Sequence, residues 1–147
     1  METQVFISES YTEKYERRSH SVGISMWHFE WCTKYRYKMF AKEDQRNLMN
    51  ACIRRAASMH EIKILELNVQ PDHVHCVVGI KLSMSPTYAL QILKGVSARL
   101  FFKNNPKVRL RYPNGHLWSP GKFASSLGFI QVEKAVDYVR NQDEHHR

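Results

Sequence analysis

Gln70-Pro-Asp-His-Val-His-Cys-Val-Val78 sets two histidines one residue apart inside a run that otherwise reads as a strand, entered through the turn formers Pro71 and Asp72. Strand side chains alternate between faces, so His73 and His75 point one way while Val74 and Cys76 point the other. Two imidazoles on one face are able to share a metal ion. The same spacing also describes a pair of half-exposed strand histidines that bind nothing, and His-x-His alone does not choose between the two.

Working outward, the strand 73–81 is preceded by residues 62–69, where Ile62, Ile64, Leu67 and Val69 alternate imperfectly with polar residues as a second strand. Before it, Leu48, Cys52, Ala56 and Met59 recur at helical spacing over residues 42–60, with Arg54 and Arg55 off the apolar stripe. Residues 21–32 read as a long strand carrying Trp27, Phe29 and Trp31 on one face and Val22, Ile24 and Met26 on the other, followed by the basic, aromatic segment Lys34-Tyr-Arg-Tyr-Lys38. On the C-terminal side, Ser85-Pro86 is a helix start, with Ser85 as cap and Pro86 in the first turn. The helix carries Ala89, Leu93, Val96 and Leu100 as its stripe, ends near Asn104-Asn105-Pro106, and is kept basic by Lys94, Arg99 and Lys103. A basic, turn-rich segment over 107–115 leads to a fourth strand over 116–128, expected to be interrupted by Pro120-Gly121 and closed by a hinge at Gly128. A terminal helix from Phe129 onward has Val132, Val136 and Val139 as its core stripe.

The order β, α, β, β, α, β plus a terminal helix predicts an α+β protein with a ferredoxin-like or RRM-like antiparallel sheet, helices on one face and the other face free for a ligand. The fold does not by itself give a function. One domain is expected over residues 21–147, behind an N-terminal arm over 1–20 that holds Arg17-Arg18.

With 22 Lys and Arg against 14 Asp and Glu, the chain carries a net charge of +8, which favours polyanionic partners, nucleic acid before membrane. Cys32, Cys52 and Cys76 stand in unlike contexts without a CxxC pair, reading as buried thiols of a reducing compartment. With no apolar signal segment, the expected location is inside the cell.

Tyr138 follows Val136 by about 200° of helix rotation, away from the apolar stripe, and Gln142 stacks one turn further on the same side. Each alone reads as an ordinary surface residue. Beside His-x-His and a basic surface, the pair suggests a nucleophile next to a metal ligand.

Here the chain resembles the HUH single-tyrosine transposases of single-strand insertion sequences, the TnpA type. The matching segments are Trp31-Cys-Thr-Lys-Tyr-Arg36, Val69-Gln-Pro-Asp-His-Val-His75, Leu93-Lys-Gly-Val-Ser-Ala-Arg99, Leu117-Trp-Ser-Pro-Gly121 with Ser125-Ser-Leu-Gly128, and Tyr138-Val-Arg-Asn-Gln142. They run in order over nearly the whole chain, and the one departure is Lys122, where an aromatic is usual. The resemblance implies that His73, His75 and Gln142 hold Mg²⁺ or Mn²⁺ and that Tyr138 is the nucleophile, forming a 5′-phosphotyrosine and freeing a 3′ hydroxyl. It also implies single-stranded DNA with hairpin ends as substrate, and a homodimer in which the tyrosine helix of one chain completes the other's site. Candidates for holding DNA are Lys34, Tyr35, Arg36, Arg54, Arg55, Lys94, Arg99, Arg109 and Arg111.

Two other readings use the same residues. A rolling-circle initiator or relaxase shares the two histidines and the tyrosine, though such enzymes are usually larger. A non-catalytic RRM-like module would bind single strands through Trp27, Phe29 and Tyr35. Glu66 and Asn68 on the neighbouring strand are further candidates to approach the metal, and Asp72 is either a turn former or a partner that orients a histidine.

Overall fold

Alternating apolar residues do form the strands, and the computed structural model describes residues 23–142, so the arm read over 1–20 lies outside them. The elements are β1 (Ile24–Thr33), α1 (Glu43–Met59), β2 (Lys63–Val69), β3 (His73–Lys81), α2 (Pro86–Asn104), β4 (Trp118–Leu127) and α3 (Val132–Arg140). Short 3₁₀ turns occupy Lys34–Arg36, Pro106–Arg111 and Phe129–Gln131. The sheet order is β2-β3-β1-β4 with every neighbouring pair antiparallel, the ferredoxin-like arrangement expected from the element order. None of the described helices is long and apolar enough to cross a membrane.

Period two in β1 and β3 divides the molecule. Phe29, Trp31, Val74, Cys76 and Val78 face α1 and α2 and form the main core with Met49, Ile53, Leu93 and Phe101. In α1 the buried stripe is Met49, Cys52, Ile53, Ala56 and Ala57, the i, i+3, i+4, i+7, i+8 pattern of a helix lying flat on a sheet. The narrower stripe expected through Leu48 and Met59 is displaced accordingly, leaving Met59 48% exposed. The stripe of α2 also turns, onto Ala89, Leu93, Ser97 and Phe101. Buried Ser97 stands beside the expected Val96 because its hydroxyl donates to the Lys94 carbonyl (3.1 Å) and meets the Trp118 indole N–H (3.2 Å). Ser85 caps α2 as expected, its side chain accepting from the Tyr88 N–H at 3.1 Å with Pro86 in the first turn.

Two expectations are corrected. Pro120-Gly121 does not interrupt β4, because β4 is an edge strand and the pair is absorbed in an irregularity: pairing passes from Trp31↔Lys122 to Thr33↔Trp118, so β4 advances four residues while β1 advances two. The second sheet face is not free either. Met26 and Val77 meet Val132, Val136 and Val139 of α3 there in a separate apolar cluster.

Candidate active site

The tight connection from β2 to β3, closed by the Gln70 N–H bonding the His73 carbonyl at 2.8 Å, delivers His73 and His75 to the sheet face that α3 partly covers. Both histidines are buried. Asp72 acts in both of the ways its sequence allows: it sits in the turn, and its Oδ1 lies 2.8 Å from Nδ1 of His73. A carboxylate at Nδ1 keeps the ring proton there and leaves Nε2 with its lone pair, the form a metal ligand needs. Asp72 is itself held by the Arg36 Nε at 3.1 Å, while its carbonyl accepts from the Thr33 N–H (2.9 Å) and hydroxyl (3.2 Å). Partial burial raises the Asp72 pKa, but the His73 hydrogen bond and the Arg36 charge outweigh it and hold the carboxyl below its ordinary range. Arg36 reaches this position through a left-handed backbone, with φ 64° at Tyr35 and 54° at Arg36, uncommon for residues with a Cβ.

His75 faces β1. Glu30 is its direct register partner, with Oε1 3.4 Å from Nδ1 of His75, and Nε2 of His28 lies 3.5 Å from the same nitrogen. Burial holds the His28 imidazole below its ordinary pKa against the opposing pull of Glu30, so the ring is neutral near pH 7. Donor atoms of Glu30, His73 and His75 all lie within 4.8 Å of one another.

The helix α3 brings the remaining parts. Tyr138 is 46% exposed, its ring centroid 6.2 Å from that of His75 and 6.0 Å from that of His28, whose other side meets Phe123 of β4 at 5.5 Å. Gln142 follows the helix end and is fully buried, not exposed beside Tyr138, and among the described residues neither its Oε1 nor its Nε2 has a hydrogen-bond partner. A buried amide with both polar atoms unsatisfied costs about 1–3 kcal/mol per group and calls for an explanation. Glu66 and Asn68 contact the helix that carries Tyr138. They hold α3: Arg140 donates to Glu66 at 2.8 Å, and Asn68 donates to the Val139 carbonyl at 2.9 Å.

The structure gathers some of the DNA-holding candidates and separates others. Tyr35 stacks on Tyr112 (6.4 Å, 9°), Lys34 lies 5.5 Å from the Tyr35 ring, Arg111 lies 4.6 Å from the Tyr37 ring, and Arg109 lies 5.9 Å from Phe102, making one basic, aromatic surface. Lys94 and Arg99 line a cleft of about 290 Å³ with Phe102, His116 and Trp118. Arg54 and Arg55 stand exposed on α1, on the opposite side of the sheet from the histidines. Phe29 is fully buried in the main core, so the single-strand platform of Trp27, Phe29 and Tyr35 does not exist.

Glu30 and His28 are the site residues that sequence reading misses. Their side of β1 follows from the alternation with Trp27, Phe29 and Trp31, but the pairing of Glu30 with His75 depends on a strand register between segments some forty residues apart.

A family model described as IS200-like transposase matches residues 21–142. The chain is 33% identical over 116 residues to the ISDra2 transposase TnpA of Deinococcus radiodurans, covering 79% of this chain and 82% of that one. It is 26% identical to the transposase for insertion sequence element IS200 of Salmonella typhimurium, covering 84% of this chain and 80% of the other. Among solved structures, a Deinococcus radiodurans protein assigned as a transposase superposes with TM-score 0.63 at 26% identity, over 82% of this chain and 86% of that one. A REP-associated tyrosine transposase bound to a REP hairpin shares the fold, with TM-score 0.61 at 15% identity over 83% of this chain and 68% of that one.

Proposed function

The chain belongs to the IS200-like transposase family and is a DNA transposase, and from that premise we propose that it cleaves and rejoins single-stranded DNA at insertion-sequence ends through a 5′-phosphotyrosine on Tyr138. In this reading His73, His75 and Gln142 hold Mg²⁺ or Mn²⁺. The observation that carries it is the convergence of two strand imidazoles and a helix tyrosine on one sheet face, with a buried amide at the end of the same helix that has no hydrogen-bond partner among the described residues.

The residues fit a divalent ion. Asp72 fixes the His73 ring with Nδ1 occupied, and Gln142 offers an amide oxygen whose burial no described residue repays. Imidazole and amide donors without thiolate suit Mg²⁺ or Mn²⁺ as well as zinc, and the family resemblance favours the first two. When bound, the ion supplies Lewis-acid stabilisation of charge on the phosphate oxygens.

Tyr138 stands exposed enough for a strand to reach its hydroxyl. As the phenolic oxygen bonds to phosphorus, the phenol loses its proton, the bond to the 3′ oxygen breaks, and that oxygen takes up a proton. The phosphotyrosine ester resembles the diester it replaces, so a 3′ hydroxyl of another end reverses the step and joins the strands without ATP. The surface of Lys34, Tyr35, Arg109 and Arg111 then suits unpaired nucleotides, cations meeting phosphates and Tyr35 stacking a base, with Arg36 spent on Asp72. Such a protein works on DNA inside the cell.

A homodimer belongs to the same proposal. Glu66 and Asn68 hold α3 on its own sheet here, and the identical sheet of a second copy offers the same contacts to an exchanged helix. Gly128 adopts an ordinary extended backbone (φ −71°, ψ 163°), so an exchange would not draw on glycine's special freedom there.

The test is incubation of the protein with labelled single-stranded DNA carrying an end hairpin and Mg²⁺ or Mn²⁺. The expected product is a covalent adduct mapping to Tyr138, absent in Tyr138→Phe and in His73→Ala. An adduct that survives Tyr138→Phe would overturn the assignment.

A further inference from the structure

We propose that Glu30 is a direct ligand of the divalent ion, a carboxylate supplied by β1 that makes the donor set of this chain two imidazoles, an amide and a carboxylate. The inference rests on the metal reading above and adds a charged donor to it.

Register places Glu30 opposite His75 on the central strand pair, and directly opposed residues of an antiparallel pair bring their Cβ atoms to about 4.5–5.5 Å. Neither side chain needs to cross the sheet to meet the other. Donor atoms of Glu30, His73 and His75 already lie within 4.8 Å of one another. Neighbouring donors around an octahedral ion at ~2.1 Å are spaced about 3 Å apart, so small side-chain rotations close the set.

The other carboxylates near the site are committed elsewhere: Glu66 pairs with Arg140 at 2.8 Å, and Asp72 is shared between Arg36 and His73. Among the described residues Glu30 pairs with no lysine or arginine, and its side chain is 40% exposed. A set of two imidazoles and one amide is neutral and offers a single oxygen. Hard divalent cations prefer oxygen donors, and a carboxylate supplies both a second oxygen and a compensating charge.

The rival role for Glu30 is purely orienting, through its 3.4 Å approach to Nδ1 of His75. Glu30→Gln separates the two roles, since the amide oxygen still accepts from Nδ1 but the negative charge of the carboxylate donor, on which the proposed ligation depends, is gone. Mn²⁺ is titrated into the full chain without DNA, free ion being read by electron paramagnetic resonance, and the visible spectrum of the Co²⁺-loaded protein is recorded in parallel. Circular dichroism checks each variant's fold.

The expected result is one Mn²⁺ bound by the unaltered protein, none by His73→Ala, and at least tenfold weaker binding by Glu30→Gln with a shifted Co²⁺ spectrum. Affinity within twofold of the unaltered protein overturns the inference while leaving the metal reading intact. Weaker binding with an unchanged Co²⁺ spectrum also overturns it, assigning Glu30 the orienting role. No binding by the unaltered protein overturns both readings.

Discussion

Gln142 is the residue whose placement is hardest to account for by packing: a fully buried amide just past the end of α3, with neither polar atom bonded among the described residues. An apolar replacement of similar volume removes two unsatisfied groups, so Gln142→Leu is expected to raise stability by ~1 kcal/mol in urea denaturation. The same variant should lose metal-dependent adduct formation. Stability gained as activity is lost would mark a residue retained for chemistry; lower stability would mean that the amide has a structural partner. At this scale much of the site is legible in the sequence, because period two aligns His73 with His75, and helical rotation sets Tyr138 apart from Val132, Val136 and Val139. The burial of Gln142 is not legible, since it lies just past the last turn of α3, where the helical period no longer governs direction. Glu30 escapes for a different reason: alternation gives its face, but only the β1–β3 register gives its neighbour.

Among the elements, those with local signals are placed correctly from sequence. Ser85 with Pro86 starts α2, the turn at Pro71-Asp72 joins β2 to β3, and β3 spans His73–Lys81 as its alternation indicates. Elements shaped by their neighbours are less legible. The stripes of α1 and α2 turn by about one residue, because the face a helix buries is fixed by the sheet beneath it. Pro120-Gly121 reads as a break only until β4 is known to be an edge. The element on which the proposed chemistry depends, α3, is nine residues long and rests on Val132, Val136 and Val139 against Met26 and Val77. Val139→Ala removes fully buried methyls from that contact and is expected to cost about 1–3 kcal/mol in the docking of α3. Hydrogen exchange should show faster amides in α3 with α1 and α2 unchanged; uniform loss of protection would mean that α3 is part of the main cooperative unit.

At the scale of the whole molecule, the sheet is a wall between two apolar clusters of unequal size, the large one under α1 and α2 and the small one under α3. The topology was readable because its elements come in the ferredoxin-like order, and the second cluster was not, because an open sheet face and a covered one share the same alternation. Global unfolding follows the large cluster, whereas the position of Tyr138 over His75 follows the small one. On a thermal ramp, adduct formation measured after brief exposure at each temperature should therefore fall below the temperature at which far-UV circular dichroism collapses, and should return on cooling. Coincident curves would show a single cooperative unit. A calorimetric melting point, taken alone, would then overstate the range over which the protein works: its thermometer for activity is five side chains on the thin side of the sheet.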